Sequence, residues 1–424
     1  MSRKLSLSQA LIEASNASKQ SRFDDAILIY RAILKSQPNN STAQKNLQKI
    51  EKYQYIPENG RGIEFKDLAN LDKKISDLKA KINSSIHSPK EHFNLSLLYL
   101  LKGDFINGWK EYEYRRKCSD YKSSLPNSRN SLPCWDGSQL NGRSVFIYEE
   151  QGVGDTFHFS RYLRNIKKEF GDGVVIFGCR SSIVDFYYGK DSGWSKYIDK
   201  VLLPGDKIPK FDMHLPLLSI PFIMNLEIEN LSVDVPYLTP PKNLVDNYRE
   251  KILNECKPNK LKVGLAWQGA KDNVNDKTRS ISLRSFSSLL HLEDVQFFSL
   301  QRGFGCEQIK ENGFETKLID WSNDFEKYID TAALVENLDL IISVDTSIVH
   351  LSGAMGKDTW VLLESVPDFR WMLDREDSPL YPSMRLFRQS QPDDWTELLN
   401  RVEIELRKKL NNYGNLIYLT SMSN

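Results

Sequence analysis

Past residue 141 the sequence turns into short, almost wholly apolar runs separated by helical patterns, and it does so in two rounds. The first round holds predicted strands Ser144–Tyr148, Val174–Phe177, Tyr197–Leu203 and Phe211–His214, with helices starting near Asp155 and Ser181. A polar helix over about Pro240–Cys256 closes it. The second round holds Lys262–Trp267, Gln296–Leu300, Thr316–Leu318, Leu338–Val344 and Thr359–Leu363, and a last helix runs over about Asp393–Leu410. Strands that are apolar on both faces must be covered on both faces, which is the condition of a parallel sheet wound with helices. The expected fold class is therefore α/β, with two doubly wound sheets. Their ligand belongs at the carboxyl ends of the strands, in the cleft between the two lobes.

Residues 1–120 read as helical and contain a repeat. Ser21-Arg22-Phe23-Asp24-Asp25-Ala26-Ile27-Leu28-Ile29-Tyr30 parallels Gly103-Asp104-Phe105-Ile106-Asn107-Gly108-Trp109-Lys110-Glu111-Tyr112. In both, a small residue and an aromatic four positions on share one helix face, where a neighbouring helix packs closely. With Ala14 upstream and Ile33 and Pro38 downstream, the first copy resembles a tetratricopeptide repeat; Leu68–Ile82 reads as a degenerate one. Hairpins of this kind bury their faces only against neighbours, so the segment is expected to dock on the sheet-forming part of the chain. The divisions expected are helical segment 1–120, connector 121–141, first lobe 142–257, second lobe 258–392 and C-terminal helix 393–424, the last crossing back to the first lobe.

Composition narrows the function classes. In 424 residues, Lys plus Arg (57) almost balance Asp plus Glu (56), so no basic field points to nucleic acid. The most apolar stretch, Leu215–Met224, is too short to span a bilayer, and Met1–Gln20 lacks a signal-peptide core. Five scattered cysteines without a CxxC pair fit reduced thiols and a cytoplasmic location. The six histidines show no zinc-site spacing, and no Asp-x-Asp pair follows a buried strand, so no metal and no cofactor are expected.

Two strand ends carry the chemistry. Ser343-Val344-Asp345-Thr346-Ser347-Ile348-Val349-His350 delivers an acid, two hydroxyls and an imidazole at the start of a helix near Thr346. Unpaired N–H groups and the helix dipole make such a start an anion site. Glu149-Glu150-Gln151-Gly152-Val153-Gly154-Asp155-Thr156 follows the first strand in the same way. Gly152 and Gly154 permit close backbone approach, and Asp155 is either a plain helix cap or a general base. Arg279 lies in the loop after the second lobe's first strand, where a guanidinium neutralises a diphosphate through paired hydrogen bonds. Gln301, after the next strand, contacts a nucleoside or simply forms the turn. Asp345 has a capping alternative and His350 a core alternative, and Pro367–Arg375, a mix of aromatics and charges, is expected to brace the cleft.

These residues resemble a known group. Gly103-Asp104-Phe105 with Gly108-Trp109 and Glu111-Tyr112, Trp135-Asp136-Gly137, Glu150 to Asp155, Ser299-Leu300-Gln301 and Ser343 to His350 are similar to bacterial tetratricopeptide-repeat glycosyltransferases. The catalytic part of those proteins resembles the lipopolysaccharide heptosyltransferases of glycosyltransferase family 9. The resemblance implies a GT-B-like pair of Rossmann-type domains preceded by an all-α repeat segment. It implies a nucleotide-diphosphate sugar donor, a glycan, lipid or protein acceptor, and a protein partner for the repeats. By the same resemblance Asp155 is the base, Arg279 meets phosphate, and Asp345, Thr346 and His350 hold donor sugar and diphosphate. The chain departs at Ser347, where the family usually has glycine, and at Arg279, where lysine is common. Inverting, metal-independent sugar transfer is the implied reaction. A non-catalytic repeat scaffold with a degenerate GT-B body, or a GT-B sugar-nucleotide epimerase, is the alternative, and O-linked N-acetylglucosamine transferases are a more distant likeness.

Overall fold

The structure, a computed structural model, describes residues 6–19, 23–54, 68–84, 88–118, 121, 132–189, 192–231, 234–271 and 276–422. Two parallel sheets organise these residues. The first holds β1 (Ser144–Tyr148), β2 (Val174–Gly178), β3 (Lys200–Leu202) and β4 (Met213–Pro216) in the order β3-β2-β1-β4. The second holds β5 (Leu261–Ala266), β6 (Val295–Ser299), β7 (Leu318–Ile319), β8 (Leu340–Val344), β9 (Thr359–Leu363) and β10 (Met384–Arg388). Its order is β10-β9-β8-β5-β6-β7, the doubly wound arrangement in which the chain winds outward from β5 and then restarts on the other side of it. Winding reverses beside β1 in the first sheet and between β5 and β8 in the second.

The apolar strands are buried on both faces, as a two-sided sheet demands. Val145 and Ile147 of β1 join the largest core cluster, while Phe146 and Tyr148 join a smaller one on the opposite face. In β8, Ile341 faces that same largest cluster, and Leu340, Ile342 and Val344 face the core beneath the C-terminal helix. One continuous apolar cluster therefore runs from the first sheet into the second.

Four expectations are corrected. β10 was not foreseen, because Arg385 and Arg388 interrupt its apolar pattern and Pro379 and Pro382 precede it. Tyr197–Leu203 shortens to Lys200–Leu202, since Tyr197 is still in the turn that its N–H closes onto Trp194 O at 2.8 Å. The helix expected near Ser181 is one 3-10 turn, Val184–Phe186, where Ile183, Val184, Phe186 and Tyr187 are all buried and leave no polar stripe. The last helix, Trp395–Met422, lies with the second lobe over its described side chains: Leu398, Leu399, Val402 and Leu406 pack into that sheet's core, against Leu283–Phe286 and β10.

Helices Leu7–Lys19, Phe23–Ser36, Ser41–Gln54, Leu71–Asn83, Pro89–Lys102 and Phe105–Tyr112 precede the sheets. The first three share a small cluster of their own around Ala14, Ala26, Tyr30, Ile33 and Ala43. From Leu71 onward the apolar faces belong to the largest core cluster. Gly108 allows this packing, because a Cβ there would sit 2.5 Å from Leu100 Cδ2. Ser21 and Arg22 of the first repeat copy lie outside the described residues.

One buried ion pair ties the helical segment to the first sheet. Arg115, on the 3-10 turn Glu113–Lys117, reaches Glu150 just past β1 with Nη2–Oε1 at 2.5 Å and Nε–Oε2 at 3.1 Å. Ser219 Oγ accepts from the guanidinium at 2.9 Å, and Leu218 N–H donates to Glu150 at 3.2 Å. Arg115→Met leaves Glu150 buried without its cation and is expected to lower stability by about 3–5 kcal/mol in denaturant unfolding. Adding Glu150→Gln removes both charges and is expected to recover most of that loss. Equal losses in the single and double variants would assign the effect to packing instead.

Candidate functional site

The two strand-end turns meet across a cleft of about 790 Å³. Both are followed by helices, Val153–Ser160 in the first lobe and Ser347–Ala354 in the second, and these helices pack directly on each other. Gly154 makes the contact possible. A Cβ at that position would lie 2.9 Å from His350 Cδ2 and 3.3 Å from Ser347 Cα. Two helix N-termini thus open onto one floor.

Asp155 is the third residue of its helix, not the cap. Gly152 is the cap, and its N–H donates to Asp155 Oδ2 at 2.8 Å, closing the helix start as the acidic arm of a capping box does. The other oxygen, Oδ1, forms an ion pair with Arg370 from the second lobe. Burial pushes this carboxyl up from its ordinary value, against the Arg370 guanidinium and the Gly152 N–H, which pull it down. Gln151, at φ +61, turns the chain into the helix and is held by Arg180, whose Nη2 donates to its carbonyl at 2.9 Å.

On the facing wall, Thr346 is the cap, its side chain accepting from Ile348 N–H at 3.3 Å. A bond of this kind is worth about 1 kcal/mol. Ser347 Oγ lies 2.9 Å from the Tyr328 hydroxyl. Arg279 ends the single helical turn Asp276–Arg279 and donates from Nη1 to the Asp345 carbonyl at 2.8 Å. Its Nε is buried, 3.9 Å from Asp276 Oδ1 and without a hydrogen-bond acceptor among the described residues. Gly269 leaves room for it, since a Cβ there would run into Arg279 Nη2 and Asp276 Oδ1. Gln301 serves the turn: it donates to Gln268 O at 3.0 Å and Phe304 O at 2.8 Å, and accepts from Gln268 N–H at 3.1 Å.

His350 pairs with the Tyr381 hydroxyl at 3.0 Å and stacks between His158 at 5.6 Å and Trp371 at 5.5 Å. Burial, followed by Arg370, holds its imidazole well below the usual histidine range. Burial followed by Arg161 and Arg370 does the same to His158, whose Nδ1 accepts from Arg370 Nε at 3.2 Å. Both rings are pushed toward the neutral form.

Asp155, Gly152, Gly154, Arg279, Gln301, Asp345, Thr346, Ser347 and His350 all line this cleft or its immediate loop. Sequence reasoning did not single out Arg370, Asp368 or Tyr328, which line it as well. The signal for the first two was present in the charged and aromatic run Pro367–Arg375, just past β9 and so at a strand's carboxyl end. Among the described residues no group of three or more His, Cys, Asp or Glu could hold a metal ion, and no helix is long and apolar enough to cross a membrane.

Two buried neutral histidines carry a pH signature. The unfolded chain takes up protons on them below about pH 6.5 while the folded chain does not, so stability falls with falling pH by about 1.4 kcal/mol per pH unit for each imidazole. In His350→Asn the slope between pH 6.5 and 5 is expected to be shallower by one imidazole's share, read from urea unfolding at stepped pH. An unchanged slope would mean that His350 is protonated in the folded state.

No protein-family model matches the sequence. Protein FlbA of Caulobacter vibrioides is 24% identical over 371 residues, a match covering 80% of this chain and 59% of that protein. The chain thus spans under two thirds of that relative's length. Among solved structures, E. coli ADP-heptose lipopolysaccharide heptosyltransferase II is similar at a TM-score of 0.45 and 11% identity, over 63% of this chain and 99% of that one. A glycosyl transferase family 9 protein from Veillonella parvula is similar at a TM-score of 0.45 and 11% identity, over 65% of this chain and 91% of that one.

Proposed function

We propose that this chain is a glycosyltransferase that moves a sugar from a nucleotide-diphosphate donor to an acceptor hydroxyl with inversion and without a metal. Asp155 takes the proton of the acceptor hydroxyl. The oxygen so freed attacks the anomeric carbon from the face opposite the diphosphate, and the bond from that carbon to the diphosphate oxygen breaks with its electron pair. Arg279 and the first N–H groups of helix Ser347–Ala354 take up the charge that appears on the leaving oxygen. Asp345, Thr346, Ser347 and His350 surround the donor sugar and diphosphate, with Gly152 and Gly154 letting the ligands approach the backbone. A sugar nucleotide as donor also fits a cytoplasmic enzyme.

The observation that carries this reading is the pairing of Asp155 on one wall with the buried Nε of Arg279 and a capped helix N-terminus on the other. A carboxylate facing an anion cradle across one cleft suits removal of a proton and departure of a phosphate in one step. One observation favours a second reading, a non-catalytic body: both Asp155 oxygens already have partners, Gly152 N–H and Arg370, as a purely structural acid would.

The test is a panel of nucleotide sugars assayed for transfer or hydrolysis and for thermal stabilisation. Asp155→Asn is expected to keep nucleotide binding while losing about 10²–10⁴-fold in turnover, the span of a general base. Arg279→Ala is expected to weaken nucleotide binding itself. Wild-type protein that binds nucleotide and transfers nothing would favour the non-catalytic body; transfer by Asp155→Asn near the wild-type rate would remove Asp155 from the base role.

A further inference from the structure

Arg370 comes from the second lobe, on the 3-10 turn Phe369–Trp371, yet its guanidinium works in the first lobe. Nη2 meets Asp155 Oδ1, Nε donates to His158 Nδ1 at 3.2 Å, and Nη1 donates to Asp368 Oδ1 at 2.7 Å. The side chain is only 8% exposed. It lies against two aromatic rings, Phe369 at 4.4 Å and Phe159 at 5.4 Å from the guanidinium carbon.

The helical segment grips the same turn. Trp109 stands edge-on to both Phe369 and Phe159, each at 5.9 Å between ring centroids, and Tyr112 meets Phe369 at 6.0 Å. The Tyr112 hydroxyl accepts from Gln151 Nε2 at 3.1 Å, which ties the segment to the turn preceding Asp155 as well. Three separate stretches of chain therefore converge on one carboxylate.

We propose that Arg370 is a positioning residue for Asp155, and that Trp109 and Tyr112 of the helical segment hold it in place, so that the helices are part of the reaction centre. The proposal rests on the glycosyltransferase reading for its kinetic consequence but not for its geometry. A carboxylate acts as a base only if a lone pair points at the acceptor hydroxyl. Each oxygen has two lone pairs; Gly152 N–H uses one on Oδ2 and Arg370 one on Oδ1, so the plane of the group is fixed while one position on each oxygen is left. Lysine is a poor replacement, because its three N–H donors leave one nitrogen whereas His158, Asp368 and Asp155 are met by three separate guanidinium nitrogens.

The charged and titratable groups acting on Asp155 are Arg370 and Asp368 at the turn, Glu150 after β1 and Tyr112 on the helical segment, while His158 and His350 act on Arg370 beside it. Arg370 is the cation among them and pulls the Asp155 carboxyl down. Its loss therefore moves Asp155 titration upward.

The experiment compares wild type, Arg370→Met, Arg370→Lys and Trp109→Phe by two readouts: the pH profile of turnover and the 13C carboxyl titration of Asp155. Arg370→Met is expected to raise the acid limb and the Asp155 titration together by about one pH unit or more. It is also expected to lower kcat at least about tenfold with the donor KM little changed, as lost orientation does. Arg370→Lys is expected to recover little of kcat, and Trp109→Phe to move both readouts in the direction of Arg370→Met by a smaller amount. A fall in kcat with neither titration moving, full recovery by lysine, or Trp109→Phe indistinguishable from wild type would each overturn the proposal. Should Arg370→Met not fold, Arg370→Lys and Trp109→Phe decide the matter alone. If wild type transfers no sugar, the functional reading falls, and the carboxyl titration still tests whether Arg370 controls Asp155.

Discussion

The contact between helices Val153–Ser160 and Ser347–Ala354 is what the rest of the architecture depends on. Each helix begins at the carboxyl end of a central strand, β1 in one lobe and β8 in the other. Each of these sheets contributes one of the two helix starts to the cleft. Pressed together at Gly154, Ser347 and His350, the two starts share a floor and their walls face each other. A single methyl group at 154 would push on backbone as well as on an imidazole, so glycine here is required by approach distance and not by φ. Overfilling a packed contact of this kind costs about 1–3 kcal/mol, a large part of a domain's stability.

Around that floor, buried charges are met by carboxylates or by neutral acceptors and rings. Arg115 answers Glu150, and Arg370 answers Asp155 and Asp368. Arg161 is fully buried, donates to Leu380 O at 2.6 Å and to the Tyr237 hydroxyl at 3.0 Å, and lies 4.2 Å above the Tyr381 ring. Since Arg161 and Tyr381 belong to different lobes, the polar contacts hold the lobes in register where the apolar cluster supplies area without direction. Burial is the first reason His158 and His350 disfavour protonation, and the nearby guanidinium groups add to it.

Much of this was legible in the chain. Strands β1 and β9 matched their predicted limits because unbroken apolar runs announce two-sided burial. The helix start near Thr346 was readable from hydroxyls at a strand end, but the capping alternative fell on Asp345, and the cap is Thr346. Less legible were features set by distant partners. β10 hides behind Arg385 and Arg388; Arg385 is met by Glu405 of the last helix, 2.7 Å away, and the Arg388 carbonyl by Arg401 of that helix. Likewise, Arg370 becomes meaningful only when a residue 215 positions earlier is placed beside it. Of the local alternatives for Asp155, the cap position went to Gly152; Asp155 Oδ2 accepts from that residue's N–H, and Oδ1 pairs with Arg370.

The helical segment divides physically into two parts, and that division bears on what it is for. Its first three helices bury Ala14, Ala26 and Tyr30 among themselves and reach the next helices through Arg31 and Glu91, whose side chains pair at 3.2 Å with Glu91 only 1% exposed. Helices from Leu71 onward share a core with both sheets, deliver Arg115 to Glu150 and set Trp109 against Phe369. Cutting the chain between these parts exposes one buried carboxylate, Glu91, which retains Lys81 at 3.2 Å and its own helix start. Cutting after residue 117 instead strands Glu150 at the strand end that precedes Asp155. Buried charge without a partner is far costlier than a lost surface contact, so by packing and charge the described helices from Leu71 onward go with the sheets.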